Sequence, residues 1–358
     1  PVDVAIIRAT SADEQGNLSM EHEGAYLGAL DQALAARNAG GLVIAQVERV
    51  VEAHSLPAQA VRVPGILVDY VAAAPGQLQT TGTRYDPAIS GAVRRPPSQF
   101  SLVEWGPEKA IARRAALELR QGDAVNLGFG ISALVPRILL EEGLADAVTW
   151  VIEQGAVGGM PLLDFQFGCA ANLQAIMSSP DQFTYFQGAG TDCSLLSFMQ
   201  VDLDGSVNVS RLAGRPHVTA GIGGFIDITS RARHIVFSGS FTAGGLNLEI
   251  EDGRLRIVRE GRSQKFVPAL EQVTFSGRRA HLQGQRVTYV TERCVVSLEP
   301  DGLTVIEIAP GIDLEREVLG QAAIPLRVSA ALRTMDSRLF QPQPMSLVLE
   351  RRKRPGRG

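Results

Sequence analysis

Only three of the 358 residues are cysteine, Cys169, Cys193 and Cys294. They are widely spaced and odd in number, which argues against a disulfide framework or a zinc site and for a reducing compartment. The five histidines form no H-E-x-x-H or comparable ligand spacing, so no metal is expected. No apolar stretch is long enough to span a bilayer as a helix, and no membrane partner is expected. The net charge is −4, so the body offers no general attraction for nucleic acid. No signal peptide is visible, and the expected location is cytoplasmic. The chain starts on Pro1, not Met, and enters an apolar strand at residues 2–7 at once.

What is present is clustered glycine, 37 residues of it, on a 45% hydrophobic background that is enough for a large core and two domains. The most informative cluster follows Glu153. The apolar, β-branched run V-T-W-V-I (148–152) reads as a buried strand, and E-Q-G-A-V-G-G (153–159) ends it. A carboxylate at that point of an open α/β sheet sits where such sheets bind ligands. It suits a nucleophile that must meet a carbonyl carbon, with backbone N–H groups nearby for the oxyanion. The same string is also a charged residue ahead of a glycine turn, and alone it does not decide between the two. Upstream, a strand at 124–127 runs into Gly128-Phe129-Gly130, and a helix follows with Pro136 in its first turn. Strand, glycine loop and helix N-terminus can hold a polar ligand segment on backbone N–H groups, or can be a plain tight turn.

Two stretches look like copies. D-V-A-I-I-R-A-T-S-A-D-E-Q-G-N-L-S (3–19) and S-L-L-S-F-M-Q-V-D-L-D-G-S-V-N-V-S (194–210) share a strand, an acidic turn, a glycine and a short strand. Asp13 and Gly16 lie over Asp202 and Gly205, and further apolar strands follow at 41–45 and 234–238. A helix is expected from Gly24 to Arg37, burying Ala25, Leu27, Leu30, Leu34 and Ala35. Strands follow at 41–50 and 60–72. Residues 76–107 are rich in proline and glycine and read as an inter-domain linker. A helix spans Glu108 to Leu119, Glu251-Asp252-Gly253 is a turn, and Asp313 is an N-cap. Residues 346–358 form a basic tail ending R-R-K-R-P-G-R-G, read as a solvated end with no aromatic interleaving for nucleic acid.

The order of these motifs is informative. G-F-G (128–130) and E-Q-G-A-V-G-G are followed by D-G-S-V-N-V-S (204–210), G-I-G-G-F-I-D-I (221–228) and S-G-S-F-T-A-G-G (238–245). Y-V-T-E-R (289–293) and E-I-A-P-G-I-D-L-E-R-E-V-L (307–319) complete the series. From Pro1 to about Met335 the chain resembles the family I coenzyme A transferases, within them the acetate/propionate branch. The resemblance implies an α/β fold of two pseudo-repeated open half-domains. Residues 1–75 would be a truncated remnant of the N-terminal half, and 108–345 the C-terminal half carrying the nucleophile. A longer precursor, or a partner chain supplying the missing half, is then expected, or a homo-oligomer.

The resemblance also implies chemistry: CoA transfer between acyl-CoA and small carboxylic acids, ping-pong through a glutamyl-CoA thioester on Glu153. No cofactor is held permanently; coenzyme A and acyl-CoA are substrates. Asn208 and the backbone N–H groups of Gly223 and Gly224 are the oxyanion donors so implied. Gly128, Phe129 and Gly130, with Gly244 and Gly245, are candidates to contact CoA; Arg211 and Arg215 could meet its phosphates. Met160, Leu162, Leu163 and Phe165 could line an acyl pocket or be core. Two other readings stay open: an acyl-CoA hydrolase on the same scaffold, and a non-catalytic CoA-binding half or subunit.

Overall fold

Alternating burial along residues 4–13 and 42–51 builds two neighbouring parallel strands, Val4–Asp13 and Leu42–Val51, paired from Val4–Leu42 to Asp13–Val51. The computed structural model describes residues 1–188, 190–212 and 221–352. It resolves into two compact units, Pro1–Pro96 with Trp150–Thr184, and Pro97–Thr149 with Tyr185–Gly358. These units are drawn differently from the segments read in the sequence, because residues 150–184 group with the N-terminal residues.

In the first unit those two strands centre a five-stranded sheet with Leu18–Ser19, Val61–Val63 and Tyr70–Ala73. Ala5, Ile7, Val43, Ala45 and Val47 form its buried face. The helix Ala29–Asn38 turns Ala29, Ala33 and Ala36 inward. It begins later than expected, and its inward face is the alanines, whereas Leu27, Leu30 and Leu34 are exposed. Alanine lets the helix axis lie closer to a sheet than leucine would. The opposite face is covered at Thr10 and Ala12 but exposed at the start of the strand, where Val4 and Ile6 are 48% and 72% exposed, beside exposed Leu42 and Tyr70 on the neighbouring strands.

The second unit is built on four parallel strands, Ala124–Leu127, Cys193–Ser197, His234–Ser238 and Arg286–Val290, adjacent in that order. An antiparallel meander, Cys294–Glu299 and Gly302–Ile308, extends the sheet, and Arg327–Thr334 closes its edge. The helix Pro107–Ala116 is buried almost throughout, with Pro107 in its first turn as expected. Asp252 and Gly253 both have positive φ, 49° and 73°, the signature of a two-residue hairpin turn. Asp313 caps a short helix by accepting from Arg316 N at 2.8 Å. The C-terminal stretch is held further along than the solvated-tail reading implied. Gln121 N donates to Glu350 O, Arg352 N donates to Gln121 O, and Arg352 pairs with Asp192 at 2.6 Å. Residues 353–358 lie outside the described residues. Among the described residues no helix is long and apolar enough to cross a membrane.

The repeat seen in the sequence recurs as hydrogen bonding. Asp13 Oδ1 accepts from Gln15 N and Asn17 N, and Asp202 Oδ1 accepts from Asp204 N and Ser206 N. In each turn the glycine N–H donates to the aspartate carbonyl, from Gly16 to Asp13 and from Gly205 to Asp202. Gly16 and Gly205 take φ of 82° and 74°, a conformation that costs glycine least. Aspartate at the start and glycine at the left-handed position fix both turns locally.

Burial also sets a pH response in the second unit. His234 donates or accepts at Nε2 with Thr288 Oγ1, 3.0 Å away, and desolvation pushes its pKa down from 6.5 to about 4 against the pull of Glu118. In the unfolded chain it charges from about pH 6.5 downward. The unfolded state therefore binds the extra proton between those values. Stability should be lost as pH falls from about 6.5 to about 4, by up to roughly 3 kcal/mol from this group. Urea titrations of wild type and His234→Gln over that window should show the slope reduced in the variant.

Candidate active site

Glu153 sits at the tip of a β-hairpin. Ile152 N donates to Ala156 O, and Gly155 N donates back to Ile152 O, both at 2.9 Å, so Glu153, Gln154 and Gly155 make a three-residue loop. Such loops need positive φ at the third position, and Gly155 has φ 114°. The strand Thr149–Val151 pairs antiparallel with Ala156–Val157, which pairs with Ala175–Ile176. The sequence reading of a strand ending in a glycine loop is thus sharpened to a tight hairpin.

The glycines serve packing within the protein. A Cβ on Gly155 would lie 2.0 Å from Met177 O, and one on Gly159 would lie 2.2 Å from Ala171 O. A Cβ on Gly168 would meet the Gln154 side chain at 2.8 Å. That seat places Gln154 Nε2 3.4 Å from Glu153 Oε1. Fully buried Gln182 donates from Nε2 to Ile152 O at 3.2 Å and so pins the carbonyl that opens the turn. Glu153 itself is half-buried. A carboxylate carried on a rigid turn and still reachable is what a covalent nucleophile requires. Met160 and Leu162 are core, and Phe165 is 89% exposed.

The other candidates lie in the second unit. Gly128-Phe129-Gly130 follows the Ala124–Leu127 strand at the carboxyl edge of the parallel strands. Gly128 packs against Leu195 and Leu196, and Gly130, with φ 95°, packs against Ser197 Oγ, which donates to Phe129 O at 2.7 Å. Phe129 is 61% exposed. Gly223 and Gly224 lead into the helix Phe225–Arg231, Gly223 with φ 51° and Gly224 as the N-cap. Gly244 and Gly245 form a bend with φ of 81° and 93°; their carbonyls accept from Arg262 and Arg259.

The expectation for Asn208 is corrected. It is fully buried, its Nδ2 donates to Gln200 Oε1 and to Arg211 O at 2.6 Å, and its Oδ1 accepts from Ser210 N and Arg211 N. Both amide protons are in use, so the side chain organises a turn and has no donor left for an oxyanion. Arg211 is exposed; Arg215 lies outside the described residues. Sequence reasoning also missed Gln182 and a buried ionic group on Y-V-T-E-R. There Arg293 pairs with Glu292 and Glu260 at 2.7 Å, and Glu292 also accepts from Phe241 N at 2.8 Å. Its one signal was the pair Glu292-Arg293 following an apolar strand. The thiols are held protonated by burial, Cys169 pushed up to about 11 and Cys294 to about 12, which disfavours a cysteine nucleophile.

A family model described as coenzyme A transferase matches residues 1–74. Caffeate CoA-transferase of Acetobacterium woodii is 43% identical over 95% of this chain and 66% of its own length. Acetate CoA-transferase YdiF of Escherichia coli K12 is 41% identical over 97% of this chain and 65% of its own. The crystal structure of the acyl-CoA transferase YdiF apoenzyme from Escherichia coli O157:H7 superposes with a TM-score of 0.91 at 40% identity, over 98% of this chain and 65% of that one. A second crystal structure of that protein is described as a thioester complex with CoA. The chain thus spans just under two thirds of the length of these relatives. With relatives at this identity along nearly all of its residues, the chain belongs to the family I coenzyme A transferases.

Proposed function

We propose that this chain carries the nucleophile of a short-chain acyl-CoA:carboxylate CoA-transferase of the acetate/propionate type, and that the nucleophile is Glu153. The observation that carries this is the hairpin tip: a half-buried carboxylate on a turn locked by Gly155, Gln182 and the Gln154–Gly168 seat. The family membership and the thioester complex described for YdiF support it.

Glu153 attacks the thioester carbonyl of acyl-CoA, giving a mixed anhydride and CoA thiolate. The thiolate then attacks the glutamyl carbonyl, releases the acid and leaves a glutamyl-CoA thioester. A second acid runs the steps in reverse. A carboxylate attacks in its ionised form without giving up a proton, so no separate base is needed. Gly223 and Gly224 are the proposed backbone donors to the oxyanion, each such donor being worth about 10²–10³ in rate. Gly128, Phe129 and Gly130 are assigned to the pantetheine arm, whose binding energy offsets the cost of forming an anhydride. Gly244 and Gly245 are assigned a lesser contact with the same arm. The working assembly is a cytoplasmic homo-oligomer, or a complex with a chain that supplies a further α/β half.

Incubation with propionyl-CoA in the absence of an acceptor acid, followed by peptide mass spectrometry, tests this reading. A CoA-sized adduct on the Glu153 peptide is the expected result. An adduct elsewhere, or none from the chain with any partner half restored, would overturn it in favour of the CoA-binding module. Release of free CoA at the same rate with and without acetate would favour the hydrolase.

A further inference from the structure

Lys265 is charged, 9% exposed, and not used by the mechanism above. It follows the short strand Ser263–Gln264, and its Nζ lies 3.9 Å from the centre of the Phe198 ring. Phe198 follows the Cys193–Ser197 strand, and Gly239, the first residue after His234–Ser238, also lies against the ammonium. A Cβ on Gly239 would sit 3.0 Å from Nζ. The lysine head therefore occupies the carboxyl edge of the parallel strands, the side on which open α/β sheets receive ligands.

Among the described residues the ammonium makes no hydrogen bond or ion pair. The anion acting on it is Glu292, and that carboxylate is already engaged by Arg293 Nε and Phe241 N. Arg293 in turn is shared with Glu260. An ammonium on a side chain only 9% exposed, with no hydrogen bond or ion pair, is costly unless something polar completes it. The surroundings are aromatic: Phe198, Phe241, Phe266 and Tyr289 pack edge-on or stacked around the site. One cation with an apolar rim matches a singly charged oxyanion bearing a short apolar tail. A polyphosphate, which needs several donors, does not fit.

We propose that Lys265 is a specificity-determining residue that holds the carboxylate of the small free acid. The identity of that ligand rests on the transfer reading above. Substrate access to Gly239 would leave Lys265 as a positioning charge with an apolar wall for the acyl tail. Desolvation lowers the pKa of Lys265 from 10.5 to about 8, so its grip on an anion should weaken in mildly alkaline solution. The charged groups facing it are Glu292 directly, and Arg293 and Glu260 behind Glu292.

The test is equilibrium titration of the full chain with propionate and separately with CoA, by ligand-observed NMR, for wild type, Lys265→Met and Lys265→Arg. Lys265→Met should weaken propionate about tenfold or more and leave CoA within about twofold, with Lys265→Arg restoring most of the loss. Unchanged propionate affinity, loss confined to CoA, equal loss of both, or no propionate binding by wild type would each overturn the assignment. If Lys265→Met does not fold, the wild type decides. Propionate affinity should fall about tenfold per pH unit above pH 8, and a flat profile from pH 7 to about 9.5 would reject Lys265. Because the readout is binding, an adduct-free wild type that still holds propionate through Lys265 would reject the transfer reading alone.

Discussion

Glu153→Gln is expected to lower CoA transfer by at least about 10⁴-fold, the scale seen when a covalent nucleophile is removed. The amide is isosteric, cannot form the anhydride, and sits on a turn held by contacts to the Ile152 and Gly155 backbone. Those contacts are Ile152 with Ala156, Gly155 with Ile152, and Gln182 with the Ile152 carbonyl. The thermal midpoint should therefore move by no more than about 3 °C. Glu153→Ala should behave alike. Loss of rate without loss of fold separates a chemical role from a structural one. Turnover near the wild-type level would remove Glu153 from the mechanism and leave the family's chemistry to another residue.

Gly155→Ala should be the most destabilising single change in the hairpin, at about 3–5 kcal/mol. Two penalties act together. The residue has φ of 114°, which an L side chain rarely adopts, and the added methyl would lie 2.0 Å from Met177 O, a backbone atom that cannot rotate away. Gly40→Ala is the control. Gly40 has φ of 75° with nothing within 4 Å of the added carbon, so only the conformational cost remains, about 1 kcal/mol. Chemical denaturation of both variants checks the difference. If the two fall together, the close approach at 155 is relaxed by backbone movement, and the hairpin is softer than its contacts imply.

The legible features of this chain are local. A run of β-branched residues around Trp150 gave away the strand before Glu153, and aspartate with glycine gave away both copies of the acidic turn. Pro107 and Asp313 marked helix starts because capping chemistry is confined to a few residues. What escaped depended on partners far along the chain. The glycines after Glu153 invited a ligand-facing reading, but two of them are demanded by Met177 O and Ala171 O, which no local pattern reveals. Asn208 looked like a free donor until Gln200 and Arg211 were found holding both of its protons. In the helix Ala29–Asn38 the leucines were the natural choice for the buried face. The sheet selected the alanines, since close approach outweighed side-chain size there. Lys265 and the carboxylate of Glu292 feel each other only once the fold has brought them to the same sheet edge.

The exposed end of one face of the five-stranded sheet, with Val4, Ile6, Leu42 and Tyr70 in contact with water, changes how solution data on this chain should be read. Apolar surface that stays hydrated in the native state adds nothing to the heat-capacity increment of unfolding or to the denaturant m-value, because it is wet before and after. Both quantities should therefore come out low for a chain of this length. A hydrophobic dye should bind to native molecules whose unfolding is still cooperative, so fluorescence enhancement by itself is no sign of a molten state here.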